Sequence, residues 1–153
     1  MRKFIQNKLK EQKGLTLIEL LAVIVILAII AAIAIPAIGN IIENSRVGAI
    51  KSDAQNALAA ANIYYTDNPD APSGVTVATL KTSNYMQDIG SLSVDSTSIA
   101  KVPGGNTISG SGAAGGITVT FTTATNANIA AYKNSQRGAG TGASLGVNAS
   151  TTP

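Results

Sequence analysis

Glu19 is the residue whose type and position point most clearly to chemistry. Its carboxylate lies one residue inside the boundary of a long apolar run, and residues 20–39 carry no charge at all. An acid at the centre of a membrane-spanning helix costs about 2.5 to 3.5 kcal/mol, and less near the interface, so acids in such segments usually have a function. A simple membrane anchor has no use for this carboxylate, and Glu19 therefore indicates a role beyond anchoring.

The composition argues against most catalytic chemistry. The chain has 153 residues, which suits one ordinary domain. It contains no Cys and no His, and so it lacks the residues of disulfides, thiol nucleophiles, thiolate metal sites and imidazole bases. Charged residues make up 12% of the chain against a norm of about 25%, and small uncharged residues fill the gap. We predict that the protein is not an enzyme and has neither a cofactor nor a metal site.

The net positive charge of the chain comes from its first 14 residues. That leader has five basic residues against one acidic residue, a net charge of +4, whereas the other 139 residues have six basic against seven acidic, a net charge of −1. A nucleic-acid-binding protein needs a basic surface on its folded part, and no cluster of Lys or Arg follows residue 14. The sequence therefore indicates no specific nucleic-acid site.

The apolar run at residues 20–39 is long enough to cross a membrane. Its 20 residues, at about 1.5 Å each, give roughly 30 Å of helix, which matches the hydrocarbon core of a bilayer. The basic leader predicts a cytoplasmic N-terminus with the remainder of the chain outside. The alternatives are a secretory signal peptide, cleaved near the small-x-small triplet at residues 32–34, and a plain uncleaved anchor.

The residues around Glu19 form a composite pattern. Positions 13–21 read KGLTLIELL: a basic leader ending in Gly14, an apolar residue, Thr, two apolar residues, Glu19, and then an apolar run that contains Pro36. This arrangement closely resembles the class III leader and N-terminal helix of type IV prepilins and related pseudopilins. The resemblance covers about residues 2–65 and is strongest over residues 13–39, so it says nothing specific about the C-terminal half.

The resemblance implies how the N-terminus is processed. A membrane-embedded prepilin peptidase is expected to cut between Gly14 and Leu15 on the cytoplasmic side, and then to methylate the new amine of Leu15. Gly14 would give the protease an extended backbone that no side chain obstructs. Family members usually have Phe or Met at the position of Leu15, which is a conservative departure.

Glu19 would then be the fifth residue of the mature chain and could pair with the Leu15 ammonium. A lone buried charge costs several kcal/mol, and removing one partner of a buried pair is destabilising by about 3 to 5 kcal/mol. The amine could belong to the same helix, one turn away, or to a neighbouring subunit in a filament. Our hypothesis is that this charge pairing sets the stagger between subunits during filament assembly.

Pro36 and Gly39 are predicted to weaken the same helix. Proline has no backbone N–H and clashes with the carbonyl four residues earlier, here that of Ala32. The resemblance implies that the helix extends or melts in this region when it packs into a filament. A simple kink in a membrane helix is the alternative, since neighbouring helices tolerate such kinks.

The N-terminal half thus divides into three segments. A cleaved basic leader at residues 1–14 precedes a transmembrane or filament-core helix at residues 15–39. Apolar residues from Ile42 to Tyr65 then recur at spacings of three to five, which predicts an amphipathic continuation of the helix at residues 40–66.

The C-terminal half predicts a small β-sheet head, so the fold class is α+β. Turn formers at residues 67–74 end the helix. The head at residues 67–133 has predicted antiparallel strands at 75–80, 92–99, 117–123 and, shorter, 128–133. Gly, Ala, Ser and Thr dominate residues 134–153, which predicts a flexible tail.

Two other motifs in this half are better explained without a ligand. Residues 110–115 read GSGAAG and fit the dinucleotide fingerprint, but a predicted strand follows them and no βαβ unit surrounds them. The Asp residues at 67, 70, 88 and 95 lack the spacing of an EF-hand, and scattered surface carboxylates are the ordinary explanation.

We therefore predict a structural subunit that polymerises into a type IV pilus-like surface filament after processing by prepilin peptidase. Its partners would be other copies of itself, the peptidase, the pilus assembly machinery and the membrane. The precursor would lie in the cytoplasmic membrane with its leader in the cytoplasm, and the mature chain in an extracellular filament. The alternatives are a type II secretion or competence pseudopilin, and a non-polymerising single-pass surface protein whose head binds something.

Overall fold

The computed structural model describes the backbone of residues 2–134 and 144–148 and the side chains of residues 17–134. Its first element is a single long helix, α1 (Arg2–Asp67), which contains Pro36. The helix ends one residue beyond the predicted boundary at Thr66, where the turn formers begin. The chain divides into two compact units, residues 1–41 and 42–153.

The first unit consists of the N-terminal part of α1. Its large apolar side chains, from Leu17 to Ile41, are all at least 50% exposed, and Ile33 reaches 70%. The helix is long and apolar enough to cross a membrane, and none of its most apolar stretch is buried within the chain. This part of the helix therefore has an apolar surface on every side, as a membrane-spanning segment requires.

The second unit contains a five-stranded sheet, whose strands follow α1 in the sequence. Its further elements are β1 (Gly74–Thr76), α2 (Val77–Thr82), β2 (Ser98–Ala100), β3 (Thr107–Ala114), β4 (Ile117–Ala124), α3 (Asn126–Ala131) and β5 (Ser144–Asn148). The strands lie in the order β1-β2-β3-β4-β5. The first four are antiparallel neighbours, and β5 runs parallel to β4. The predicted α+β class is confirmed.

Helix α1 and the sheet share one hydrophobic core. The helix contributes Val47, Ile50, Ala54, Ala57, Leu58, Ala60, Ala61 and Tyr65, and the sheet contributes Val75, Ile99, Ile108, Ile117, Val119, Phe121 and Ala124. The helical residues recur at mostly three and four positions, which places them on one face. Burying one large side chain stabilises a fold by about 1.5 to 3 kcal/mol, so residues 47–65 are an integral part of the head.

Two predicted strands are corrected by local capping. The strand predicted at 75–80 stops at Thr76, because the Thr76 side chain accepts a hydrogen bond from the Thr79 backbone N–H at 3.1 Å and starts α2. The strand predicted at 128–133 is wrong, since Thr125 and Asn128 form a reciprocal capping box that starts α3.

The other strand predictions had mixed outcomes. The strand at 117–123 is confirmed as β4. The one at 92–99 is right only near its end, where β2 begins at Ser98, while Leu92 forms an isolated bridge with Gly112. The sequence did not predict β3, because Gly and Ser dominate its centre.

The tail also differs from its prediction. Residues 144–148 form β5 rather than flexible chain, and their parallel pairing with β4 departs from the purely antiparallel sheet that we expected. The prediction for the rest of the tail beyond Asn134 lies outside the described residues.

Candidate functional site

The predicted processing residues lie on the backbone of α1. Gly14 and Leu15 are both helical in the structure. Cleavage between them would require this turn to unwind, since a protease acts on extended backbone. Glycine makes that unwinding easier, because it stabilises a helix by roughly 0.5 to 1 kcal/mol less than alanine does. The residue type at position 14 therefore suits a cleavage site that begins as helix.

Glu19 lies among exposed apolar side chains. The Glu19 residue is itself exposed, and its neighbours Ile18 and Leu20 are 67% and 62% exposed. A single chain therefore supplies no apolar enclosure for this carboxylate. Any environment that buries Glu19 must come from a bilayer or from other helices, which is where a charge partner would matter.

Pro36 and Gly39 do not interrupt the helix in the single chain. Helix α1 continues through both residues. Pro36 is exposed, and a Cβ added at Gly39 would meet nothing within 4 Å. The role of both residues in loosening the helix stays a prediction.

Three charged residues on the head half of α1 are each bonded to the head. We call Arg46, Lys51 and Asp53 the clamp residues. Arg46 donates from Nη1 to the Gly115 carbonyl at 2.8 Å. Lys51 donates from Nζ to the Tyr132 carbonyl and to Asn134 Oδ1. Asp53 accepts from the backbone N–H and the hydroxyl of Ser91, at 2.8 and 2.6 Å.

Two of the clamp residues, Asp53 and Arg46, pack closely against the backbone of a glycine. Gly90 has a positive φ of 63°, and a Cβ there would lie 2.3 to 2.6 Å from the carboxylate atoms of Asp53. Gly115, in the turn between β3 and β4, packs its backbone against the Arg46 guanidinium in the same way. Burial also lowers the pKa of Lys51 from its ordinary value. The clamp residues thus hold the head to its helix through hydrogen bonds and close packing.

The opposite side of the same helical segment presents an uncharged surface. We call it the outer stripe, and it consists of Ser45, Ala49, Ser52, Asn56, Ala59, Ile63 and Thr66, all exposed. Their spacing alternates between four and three residues, which is the spacing of a helix–helix packing seam. Within the outer stripe, the side chain of Ile63 is 56% exposed.

The far end of α1 carries an aromatic cluster beside an open cavity. Tyr64 meets Tyr65 and Tyr85 edge to face, with ring centroids 5.5 and 5.3 Å apart. The adjoining cavity of about 350 Å³ is lined by Tyr64, Asp67, Asn68, Pro69, Asp70, Ala71 and Pro72. Among the described residues, no three Asp or Glu side chains come together to hold a metal ion.

Sequence reasoning missed the clamp residues. The amphipathic pattern predicted at residues 40–66 assigned no role to Arg46, Lys51 or Asp53. Their partners lie 69, 81 and 38 residues further along the chain, so no local pattern could reveal them. The one available signal was that Gly90 and Gly115 are glycines, which indicate turns.

The comparison with known families matches the N-terminal segment. Residues 9–35 match the family model described as the prokaryotic N-terminal methylation motif, which is the class III signal of type IV pilins. The matched range includes Gly14, Leu15 and Glu19 and ends just before Pro36. No significant match was found to curated proteins or to solved structures. The motif implies processing by a prepilin peptidase and association with the membrane.

Proposed function

Because this chain carries the N-terminal signal of a type IV pilin-like precursor, we propose that its mature form polymerises into a pilus-like surface filament. The observation that carries the proposal is the coincidence of two features. The methylation motif at residues 9–35 overlaps the helical segment whose large apolar side chains, from Leu17 onwards, are at least half exposed. The role proposed is structural rather than catalytic.

The exposed apolar segment needs two different environments in this proposal. Before assembly, a bilayer surrounds it, which agrees with a membrane-anchored precursor. After assembly, the helices of neighbouring copies would surround it instead. Each large side chain removed from water is worth about 1.5 to 3 kcal/mol, so a segment this apolar has no stable place in water alone.

Glu19 supports assembly over simple anchoring. Peptidase cleavage after Gly14 would leave a positively charged amine on Leu15, within one helical turn of the Glu19 carboxylate. In a filament, the Glu19 of one copy would pair with the Leu15 amine of its neighbour, because both charges leave water together and each needs a partner. A non-polymerising anchor gives no reason for this pair.

The outer stripe supports packing beyond the membrane segment. Arg46, Lys51 and Asp53 are turned into the head, so the stripe from Ser45 to Thr66 carries no charge that opposes a neighbouring helix. Small residues at this spacing let two helix backbones approach closely. The head half of α1 could therefore continue the contacts that begin in the apolar segment.

The direct test is the N-terminus of the protein sheared from cell surfaces, measured by intact mass and N-terminal sequencing. We expect filaments by electron microscopy and a chain that starts at Leu15 with one added methyl group. A chain that keeps Met1, or one that begins near Ile35 after signal-peptidase cleavage, would overturn the proposal. Either result would instead support an anchored or secreted binding protein.

A matched pair of variants sharpens this test. Gly14→Val should block cleavage and leave the full precursor in the membrane, because a β-branched residue obstructs the scissile backbone. Gly39→Val places the same side chain on the same helix where nothing lies within 4 Å, and it should be processed normally. Normal processing of Gly14→Val would contradict the assignment of the site.

A gene deletion distinguishes the proposed filament subunit from the pseudopilin alternative. Deleting the gene of a principal filament subunit should remove surface filaments altogether. Loss of protein secretion or of DNA uptake, with filaments intact, would favour the secretion or competence pseudopilin instead.

A further inference from the structure

The cavity at the end of α1 combines apolar and acidic groups. Its volume of about 350 Å³ lies within the range of small-ligand sites, which is roughly 300 to 1,000 Å³. The described lining consists of Tyr64 and residues 67–72, and it includes Asp67 and Asp70 but neither Lys nor Arg. Two prolines and an alanine supply its apolar part. This lining suits a ligand that joins a positive charge to an apolar body.

Hydrogen bonds within the chain hold the walls of this cavity in place. The Asn68 side chain donates from Nδ2 to the Tyr64 carbonyl at 2.9 Å and to the Tyr85 hydroxyl at 3.3 Å. The Tyr85 hydroxyl donates to Oδ2 of Asp67 at 3.1 Å, and the Ala71 N–H donates to the Asn68 carbonyl at 3.1 Å. A cavity whose walls are already ordered loses little conformational entropy when a ligand enters.

The aromatic cluster beside the cavity stabilises positive charge. Tyr64 lines the cavity, and its ring meets the rings of Tyr65 and Tyr85 edge to face. Aromatic rings attract cations that come within about 6 Å of the ring centroid. The cluster already holds one cation of its own chain, because Nζ of Lys101 lies 5.4 Å from the centroid of Tyr65.

The charges around the cavity leave room for one more cation. Nζ of Lys101 donates to the Pro69 carbonyl at 3.1 Å, which places its positive charge beside the cavity lining. Asp67 and Asp70 carry two negative charges against this one, so the three residues have a net charge of −1. A ligand with a single positive charge would balance it.

A guanidinium group fits these features better than a simple ammonium does. It is planar, has five N–H donors in a fixed arrangement, and both stacks on aromatic rings and binds carboxylates through paired hydrogen bonds. It is also more weakly hydrated than an ammonium, so it loses less when it leaves water for a partly apolar cavity. Tyr64, Asp67 and Asp70 supply the ring and the carboxylates.

We propose that this cavity binds the guanidinium group of an arginine side chain on a partner protein. The guanidinium pairs with the carboxylates of Asp67 and Asp70 and packs beside Tyr64. The site belongs to the head, so it gives the head a binding activity in addition to the proposed polymerisation and does not depend on it.

A titration of the full chain tests this site. The protein is dispersed in a maltoside detergent, which is uncharged and so brings no competing cation, and N-acetyl-arginine amide is added. Backbone amide NMR resonances of Asn68, Asp70 and Ala71 should shift and reach saturation. N-acetyl-citrulline amide has nearly the same shape without the charge, and N-acetyl-lysine amide carries the charge without the planar group. Both should bind more weakly by about fivefold or more.

A matched pair of variants locates the binding. Asp70→Asn removes one carboxylate of the lining at an exposed position, so the head should still fold, and the Kd for N-acetyl-arginine amide should rise about fivefold or more. Asp95→Asn makes the same change at an exposed Asp outside the lining, and it should leave the Kd unchanged. The pair separates binding in the cavity from a general attraction between the head and a cation.

Three results would overturn the proposal. The first is the absence of saturable shifts in residues 64–72 of the folded wild-type chain. The second is equal binding of the citrulline or the lysine compound, which would show that the cavity does not select a guanidinium group. The third is an equal Kd in Asp70→Asn and the wild type. Each result leaves the proposed filament function standing, because the titration uses dispersed chains.

Discussion

The two regions of this chain carry their information in opposite ways. Between Leu17 and Ile41, the large apolar side chains are all at least half exposed. Between Val47 and Ile129, buried side chains form one core, and no motif identifies a ligand. The first region is defined by residue types at fixed spacing, and the second by contacts between residues far apart in sequence. The difference teaches that partners outside the chain constrain the first region, while the fold constrains the second.

The charged residues of the two regions differ in the same way. On the head half of α1, the charges of Arg46, Lys51 and Asp53 are used within the head. On the N-terminal part, Glu19 is exposed, and Ile18 and Leu20 beside it are exposed too. A charge bonded within the chain should therefore affect folding when it is removed, whereas Glu19 should affect assembly alone.

The largest expected effect comes from Glu19→Ala. The chain should still fold, enter the membrane and be cleaved, because Glu19 is exposed and is not part of the hydrophobic core of the head. Its yield in the sheared surface fraction should fall by roughly 100-fold or more, since an unpaired buried amine costs about 3 to 5 kcal/mol. Immunoblots of the membrane and surface fractions measure both quantities.

Glu43→Ala is the matched control for this prediction, because it removes the same charge from the same helix outside the methylation motif. It should leave most of the surface filament in place. Equal losses in the two variants would mean that Glu19 has no special role in assembly, and the comparison between the regions would fail.

The second prediction truncates an apolar side chain in each region. Phe121 is 2% exposed at the centre of the core, and Ile30 is 56% exposed on the N-terminal helix. Phe121→Ala should lower the free energy of unfolding of the head by about 3 to 5 kcal/mol, and Ile30→Ala should leave it unchanged.

Tyrosine fluorescence during urea unfolding in detergent provides the measurement for this pair. The chain has four Tyr and no Trp, and all four Tyr lie after residue 63, so the signal reports the head alone. A clear loss of head stability in Ile30→Ala would contradict this prediction.

The same contrast explains which features of the structure could be predicted from the sequence. The motif around Glu19 and the end of α1 were predictable, because the types of a few consecutive residues determine both. β3 was not, because its Gly112 is selected by a distant contact: a Cβ there would lie 2.6 Å from Cγ2 of Ile50. Close packing of sheet on helix requires glycine at this point, and glycine is a weak strand signal.

The third prediction tests a clamp through its glycine. In Gly90→Ala, the new Cβ would overlap the Asp53 carboxylate and displace it from Ser91, in addition to straining a positive φ. We expect a loss of about 2 to 4 kcal/mol in head stability, which combines a strain of about 1 to 2 kcal/mol with the loss of hydrogen bonds to a charged group.

Gly104→Ala separates the two contributions. Gly104 also has a positive φ, of 97°, but nothing lies within 4 Å of an added Cβ. It should show the strain alone, and the difference between the two variants measures the Asp53 clamp. Equal losses would mean that the clamp contributes nothing to stability.

The smallest expected effect is a dependence on alkaline pH that belongs to the head. Burial, with a smaller contribution from Tyr64, raises the pKa of Tyr65 above its ordinary value of 10.0. The unfolded chain therefore loses this proton at a lower pH than the folded chain does. The stabilising contribution is complete below about pH 10 and disappears as the pH rises through the raised pKa.

Tyr65→Phe removes this dependence, and it also removes the hydrogen bond from the Tyr65 hydroxyl to the Ile99 carbonyl at 2.9 Å, worth about 1 kcal/mol. The wild type should consequently be more stable than Tyr65→Phe at pH 8, and the gap between them should narrow towards pH 11 in urea unfolding followed by the remaining tyrosines. Lys51 is present in both proteins, so its own titration cancels in the difference. A constant gap across this range would show that Tyr65 ionises equally in the folded and unfolded chain, and that the core around it admits water as freely as the exposed helix does.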